Sequence, residues 1–547
     1  MMMAPWDPTD RTRELSYALV ESPSITGTPG EAEFTDALLG ILRSIPYFQE
    51  NPDDIAVLDS HGSPLTKNVV ALVRGTGRKA LAMAGHFDVV AIDNYRDLAH
   101  LAFKPDELKD ALIADLSSRP LKPSEAKALA DLKSGDFVPG RGMLDMKSGD
   151  AAGIAVLEHF SATPDRQGNL VLCLTPDEER NSQGMRRLRN ALPDLMKRWG
   201  IEIVGCLNLD AVSDQGDGSD GRSVHHGSIG KLLPFALVIG QPTHAGYPFE
   251  GISAHALASW ILQAVEANVA LSDRGNGFVS PPPICLEAKD LRQVYDVTTP
   301  DHVWIAFNWL IHSRTPESVM EAFTGKIQEA TSGALARLAQ GAAQYAAEIG
   351  ETPRPPAKAA EIITVEQLRQ RLSTEALNRL DAVAAANADS DNPLLRSRLQ
   401  VQAMAQEAGL TAPAVVVGFG SLHYPPVYLD RTRTMDSNLL AAIDRARTTI
   451  EAWHQTTIKD RAYFTGISDM SFQGHQPDSK SSGFVGGNTP LVDMVDIPPA
   501  GLLVYPIVNI GPWGREYHQR HERLYAPYGF KVLPDFLHEI AVELLKE

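Results

Sequence analysis

The chain has 547 residues, 44% of them hydrophobic and 22% charged, with a formal net charge of −18. That length exceeds one ordinary compact domain, and the composition excludes a disordered chain, so two cores or one large domain with a second inserted into it are expected. The negative balance works against phosphate backbones and anionic lipid surfaces, so neither nucleic acid nor membrane is expected as a partner; metals and small zwitterionic ligands are not penalised.

In chain order, residues 9–22 read as a helix, and PSITGTPGEAEFTDALLGILRSI as a loop followed by an amphipathic helix. Short apolar runs follow at 68–75, 79–86, 169–176 and 201–210, with helical stretches between them. Strand alternating with helix predicts an α/β sheet. A second unit, α+β in pattern, starts near 225 with a strand at 231–240, a helix at 255–271 and a strand region at 301–314. Residues 316–410 are Ala-rich and helical in pattern, interrupted by the linker-like GETPRPPAKAAE at 350–361. A strand at 413–420, a helix in SNLLAAIDRARTTIEAWHQ, a strand at 501–511 and a final helix in LPDFLHEIAVELL close the chain. The three cysteines, Cys173, Cys206 and Cys285, lie in or beside apolar runs, which fits reduced core thiols, so a metal must be held by His and carboxylates. MMMAPWDPTDRTREL lacks a basic start leading into an apolar stretch, and no run approaches the ~18 apolar residues of a spanning helix. The expected location is cytoplasmic.

Three of these runs lead into metal-competent residues: His86, Glu178 with Glu179, and Asp210. In open α/β sheets, ligands gather beyond the carboxyl ends of the strands. His86 and Asp88 in GHFDVV are spaced i, i+2, so the carboxylate can orient the imidazole; a turn with a surface His is the plain alternative. GRGMLDMKSGD at 140–150 surrounds Asp145 with glycines, although Gly-Arg-Gly is also an ordinary turn. TPDEERNSQG at 175–184 sets Glu178 beside Glu179 after an apolar strand. That pair is either a solvated turn or a metal-binding carboxylate with a general base next to it. Asp210 ends the strand GCLNLD, as a helix cap or as a partner to a charge. One His with a surplus of carboxylates suits zinc, or cobalt or manganese in its place. GSIGK at 227–231 lacks phosphate-loop spacing.

HFD at 86–88, GRGMLDMKSG at 140–149, TPDEE at 175–179 and NLD at 208–210 together resemble the co-catalytic zinc peptidase family of acetylornithine deacetylase, succinyl-diaminopimelate desuccinylase, aminoacylase and glutamate carboxypeptidase. Overall length, the long segment between HxD and GRG, TPDEExNSxGM and the ending HxxxERLY resemble the family's arginine-utilization branch. The likeness covers nearly the whole chain and is weakest across 316–410. It implies an α/β/α catalytic domain, 1–220 and 431–547, interrupted by a smaller α+β lid and dimerization domain, 221–430, that carries a helical insert at about 316–410.

Carried onto this chain, the resemblance implies two zinc ions. His86 and Asp210 would bind the first, Glu179 the second, and Asp145 would bridge both. Asp88 would support His86, and Glu178 would be the general base. The late His followed four residues later by Glu is met by His518 with Glu522, and His521 is the neighbouring alternative. His244 in GQPTHAGYPFEGISAHA resembles the His that meets the oxyanion from a neighbouring subunit, which implies a homodimer. Arg314 in SRTPESV stands where an arginine would hold a substrate carboxylate, although the usual Asp two residues earlier is His312. FTGISDMSF, with Gly466 and Asp469, resembles a loop near the site. Ala91 replaces the usual proline after HxDVV, and 92–139 is longer and more helical than in short members. The implied activity is hydrolysis of an amide in an N-acyl amino acid or small peptide, with a tilt toward arginine- or ornithine-related amides. A dipeptidase or carboxypeptidase, or a metal-bound sensor without turnover, are the alternatives.

Overall fold

A computed structural model describes residues 6–292, 294–353, 359–388, 390 and 392–546. The first five residues of the N-terminal segment and residues 354–358 of the expected linker lie outside them. The chain divides into two compact units, one comprising 1–228, 427–476 and 499–547, the other 229–426 and 477–498. The sequence boundaries put all of 431–547 in the first unit. Segment 477–498 instead belongs to the second, where its helix Ser479–Asn488 packs against the helix Pro316–Ile349 and the strand Ala414–Phe419.

The first unit is built on a mixed eight-stranded sheet. At its centre Gln167–Thr175, Thr76–His86, Glu202–Asn208 and Ile507–Asn509 run parallel in that order. Alternation along these strands decides which residues meet which layer. Val69, Ala71, Val73, Leu81, Met83, Leu170, Leu172 and Leu207 join one core with the helices Ser148–Ala162 and Leu533–Leu545. The residues between them, such as Val70, Leu72, Val171 and Cys173, point to the opposite face, and the helix Gln183–Trp199 packs against their strands. The strand expected over 501–511 shortens to Ile507–Asn509. Pro506 has no N–H to extend the ladder, though its carbonyl still accepts from Cys206 N at 2.8 Å.

A separate four-stranded sheet joins Phe137–Pro139, Arg523–Tyr525, Trp513–Arg515 and Val212–Ser213. It ties the approach to the Gly-rich segment to the last loop of the chain. The long segment after His86 is helical, as its pattern suggests: Pro105–Ser117 and Pro123–Ser134 each start with Pro in the first turn, and Gly135 at φ +90° follows the second. These helices enclose a small core of their own around Tyr95, Leu108, Leu112, Leu116 and Leu132.

The second unit holds a six-stranded sheet, antiparallel except for Glu361–Thr364 beside Ala414–Phe419. Both faces are covered. Ala254–Val265 and Pro316–Ile349 share a core with Val238, Ile305 and Phe307, whereas Leu368, Leu380 and Val401 pack with Phe235, Leu237 and Trp304. The stretch expected as a helical insert is therefore part of this layering, and it contributes a strand as well as helices. The helix read over 255–271 ends at Val265, because Ala267 takes φ 52°. No helix among the described residues is long and apolar enough to cross a membrane.

Candidate metal centre

Strand register brings the first candidates together. In the parallel pairing His86 lies opposite Thr175 and Ala84 opposite Asn208, so His86, the turn 176–182 and Asp210 leave the sheet side by side. The small sheet delivers the other two: Arg523–Tyr525 pairs on one edge with Phe137–Pro139, which leads to Asp145, and on the other with Trp513–Arg515, which leads to His518.

The resulting geometry forms two overlapping triads. His86, Asp145 and Asp210 offer donor atoms that all lie within 4.8 Å of one another, and Asp145, Glu179 and His518 do the same. Asp145 belongs to both. His86 Nε2 is 3.4 Å from Asp145 Oδ1, 3.9 Å from Asp210 Oδ1 and 3.8 Å from Glu178 Oε2. His518 Nε2 is 3.1 Å from Asp145 Oδ2 and 2.9 Å from Glu179 Oε1. His521 belongs to neither triad; its Nδ1 lies 4.0 Å from Glu516. The chain thus turns the ring of His518, itself at φ 62°, toward the carboxylates.

The orienting contact of His86 differs from the one its spacing suggests. Its Nδ1 lies 3.0 Å from the backbone carbonyl of Asp88 and 3.5 Å from the Asp88 carboxylate. Donation from Nδ1 leaves the Nε2 lone pair facing the carboxylates. The buried carboxylate of Asp88 accepts from the backbone N–H groups of Glu178 at 3.0 Å and Glu179 at 3.2 Å, and from Thr26 Oγ1 at 2.9 Å. Asp88 thereby positions the Glu178–Glu179 turn as well as His86. Glu522, four residues after His518, braces the opposite side: buried, it pairs with Arg141 and accepts from Gly142 N at 3.0 Å.

Burial, with charge crowding behind it, sets the electrostatics. Burial raises the pKa of Glu178 well above the ordinary carboxyl range, and burial with the nearby Asp145 charge raises Asp210 to about 7. Burial works against protonated His518, yet hydrogen bonds to Asp145 and Glu179 outweigh it and raise this imidazole to about 11. Burial raises Asp145 in turn, but the two imidazoles win and hold it below its usual value. Carboxylates packed this closely, with only imidazoles to offset them, are the environment a divalent cation neutralises. The donor set fits such ions: His nitrogens and carboxylate oxygens, no thiolate, and Asp145 Oδ1 buried without a hydrogen-bond partner among the described residues.

Asp469 lies against the same cluster. It accepts from Thr175 Oγ1 at 3.1 Å, and burial raises it to about 7. Arg141 and Asn94 escaped the sequence reading; only the Gly-Arg-Gly motif around Arg141 hints at the first of them. His244 and Arg314 belong to the second unit. His244 is exposed and its Nδ1 accepts from Gly246 N at 3.0 Å. Arg314 follows the strand His302–Ile311, and its backbone N donates to Asp273 at 2.8 Å. Asp273 also accepts the backbone N–H groups of His312 and Ser313, each at 2.7 Å.

The match of more than half of the chain to a peptidase family model, with the cluster at the strand ends of its α/β sheet, places the protein among the metallopeptidase and amidohydrolase class of hydrolases. Over 98% of the chain, the fold superposes on 99% of the aminopeptidase PepT from Bacillus cereus ATCC 10987 with a TM-score of 0.54 at 15% identity. Residues 120–525 match Peptidase family M20/M25/M40, and the chain belongs to that family. It is 31% identical over 560 aligned positions to the Bacillus subtilis (strain 168) protein YqjN, covering 99% of this chain and 98% of that one. It is 27% identical to protein RocB of the same organism, over 99% and 96% of the two chains.

Proposed function

We propose that the protein is a two-zinc amidohydrolase that cleaves the amide bond of an N-acyl amino acid or small peptide. His86, Asp145 and Asp210 would hold one ion, and Asp145, Glu179 and His518 the other. The observation that carries this reading is the sharing of Asp145 by two triads while Glu178 stands beside them and belongs to neither. When bound, a pair of divalent ions supplies Lewis acidity toward the scissile carbonyl and makes water more acidic. Glu178 takes the proton of the attacking water on a carboxylate oxygen and returns it to the leaving nitrogen, whose greater basicity draws it off. Asp88 keeps Glu178 in place by binding the backbone of its turn.

The first unit is the catalytic domain in this reading and the second a lid and dimerization domain. His244 meets the developing oxyanion from a partner subunit, and Arg314 holds the substrate's α-carboxylate. A homodimer is supported by the edge strand Ile284–Asp290, which exposes Ile284 by 40% and Leu286 by 55%. Free, partly or fully buried cysteines and the acidic balance support a cytoplasmic location. The resemblance of the sequence to the family's arginine-utilization branch supports an arginine- or ornithine-related amide. The likeness to PepT keeps a peptide bond as the second reading.

Elemental analysis of the purified protein, with a screen of N-acyl amino acids and dipeptides on wild type and Glu178→Ala, tests the proposal. About two ions per chain and hydrolysis that disappears in the variant are expected. Bound metal with no hydrolysis by wild type would leave a sensor.

A further inference from the structure

The strand Glu202–Asn208 ends two residues before Asp210, so the backbone of this candidate ligand leaves the sheet outside its ladder. Asp210 is nevertheless buried, and buried peptide groups need hydrogen-bond partners. One side chain serves both of them. Asn509 is fully buried on the strand Ile507–Asn509, in parallel register with Asn208. Its Oδ1 accepts from the Asp210 backbone N at 3.1 Å, and its Nδ2 donates to the Asp210 carbonyl at 2.9 Å. The carboxamide thus stands where the next rung of a strand would.

The carboxamide can face only one way. Asn208 Nδ2 donates to the same Oδ1 at 2.9 Å and to Ser468 Oγ at 3.2 Å, so the Asn509 atom between two N–H groups is the oxygen and the one facing a carbonyl is the nitrogen. Backbone contacts hold the two segments together on either side: Ile510 N donates to the Asn208 carbonyl and Val212 N to the Pro512 carbonyl, each at 2.8 Å. Glycine at 511 permits this close approach, because a Cβ there would stand 2.0 Å from the Asp210 carbonyl oxygen. The Asp210 carboxylate accepts one backbone N–H, that of its neighbour Ala211 at 2.8 Å. Its direction is therefore set by the stretch of backbone that Asn509 holds.

We infer that Asn509 is a positioning residue of the metal centre, whose carboxamide fixes Asp210 for the ion shared with His86 and Asp145 and acts only through that aspartate. This rests on the two-ion reading above and adds to it a side chain 299 positions away from the ligand it braces.

The test titrates the metal-free full chain with cobalt(II), followed by calorimetry and by the visible absorption of the bound ion. His518→Ala isolates the ion at His86, Asp145 and Asp210, and Asp210→Ala isolates the other. Adding Asn509→Ala to the first background should weaken the remaining ion by about ten-fold or more, the usual cost of losing a group that orients a ligand, and should shift its absorption band. Adding it to the second should change nothing, since no Asp210 carboxylate is left to orient. Where Asn509→Ala does not fold, Asn208→Ala takes its place: it keeps both Asn509 contacts with Asp210, removes the donor that orients them, and should show the same selectivity at a smaller size. Unchanged affinity in the His518→Ala background, even with a lower thermal midpoint, overturns the inference. So does equal weakening in both backgrounds, which would mark a general loosening of the fold. A folded wild type that takes up no ion sinks the two-ion reading itself and the brace with it, an outcome visible before any variant is made.

Discussion

The two units each bury an aspartate at a strand-end turn, and they treat it in opposite ways. In the second unit, Asp273 is 1% exposed and its oxygens are fully engaged by three backbone N–H groups and the Ser313 hydroxyl. Burial alone would raise it, but those hydrogen bonds hold it down at about 2. In the first unit, Asp210 is 6% exposed, accepts one backbone N–H from Ala211 and faces other carboxylates, which leaves it raised to about 7. Folding has satisfied one carboxylate with amides and left the other for a cation. Burial of charge therefore marks a site only when the chain withholds the donors that would neutralise it.

The largest effect expected from this contrast is on turnover. Glu178→Ala should lower kcat by about a thousand-fold with the ion content unchanged, because it removes the proton carrier and no ligand. Equal loss of ions and activity in that variant, measured by elemental analysis, would make Glu178 a ligand instead. Chelation should lower the thermal midpoint of wild type, since ions present at a hundred-fold excess over their dissociation constant contribute about 3 kcal/mol. In Asp145→Ala, which breaks both triads, the midpoint should no longer respond to chelator.

A finer test separates the neighbouring imidazoles. His518→Ala should leave about one ion per chain and His521→Ala about two. In the second unit, Asp273→Ala should cost roughly 2–4 kcal/mol through unpaired backbone donors, with the ion content untouched; differential scanning calorimetry and elemental analysis report the two quantities. The smallest effect is on acid stability. A carboxyl held at about 2 when folded and at an ordinary value when unfolded stabilises the protein above about pH 4 and loses that contribution as pH falls toward 2. Asp273→Asn should flatten the decline in stability across that window, and an unchanged slope would show that the aspartate's charge is not what the amides hold.

The strand ends were legible because a carboxylate or imidazole directly after a buried apolar run has few reasons to be there. His86, Glu178, Glu179 and Asp210 stand out in this way, and parallel register does the rest. What stayed hidden depends on partners remote in sequence. Asn94 meets His518 from 424 positions away, and Asp273 holds the 312–314 turn from about forty. Neither position carries a periodicity or motif that reveals it. The 316–410 stretch looked like an insert because Ala-rich helices conceal which sheet they cover. In the fold its residues Val319 and Phe323 seal one face of that sheet and Leu368 and Val401 the other.

The strand Ile507–Asn509, wedged between Glu202–Asn208 and Ser223–His225, gives the site a timetable. During synthesis the ribosome must deliver the whole second unit, 229–426 and 477–498, before the strand that completes the central sheet, and His518 emerges later still. The nascent chain therefore carries its crowded acids for many seconds before the second triad can exist. Ion capture in this reading is a late event, and a polypeptide released at residue 500 should retain less than the full complement of metal.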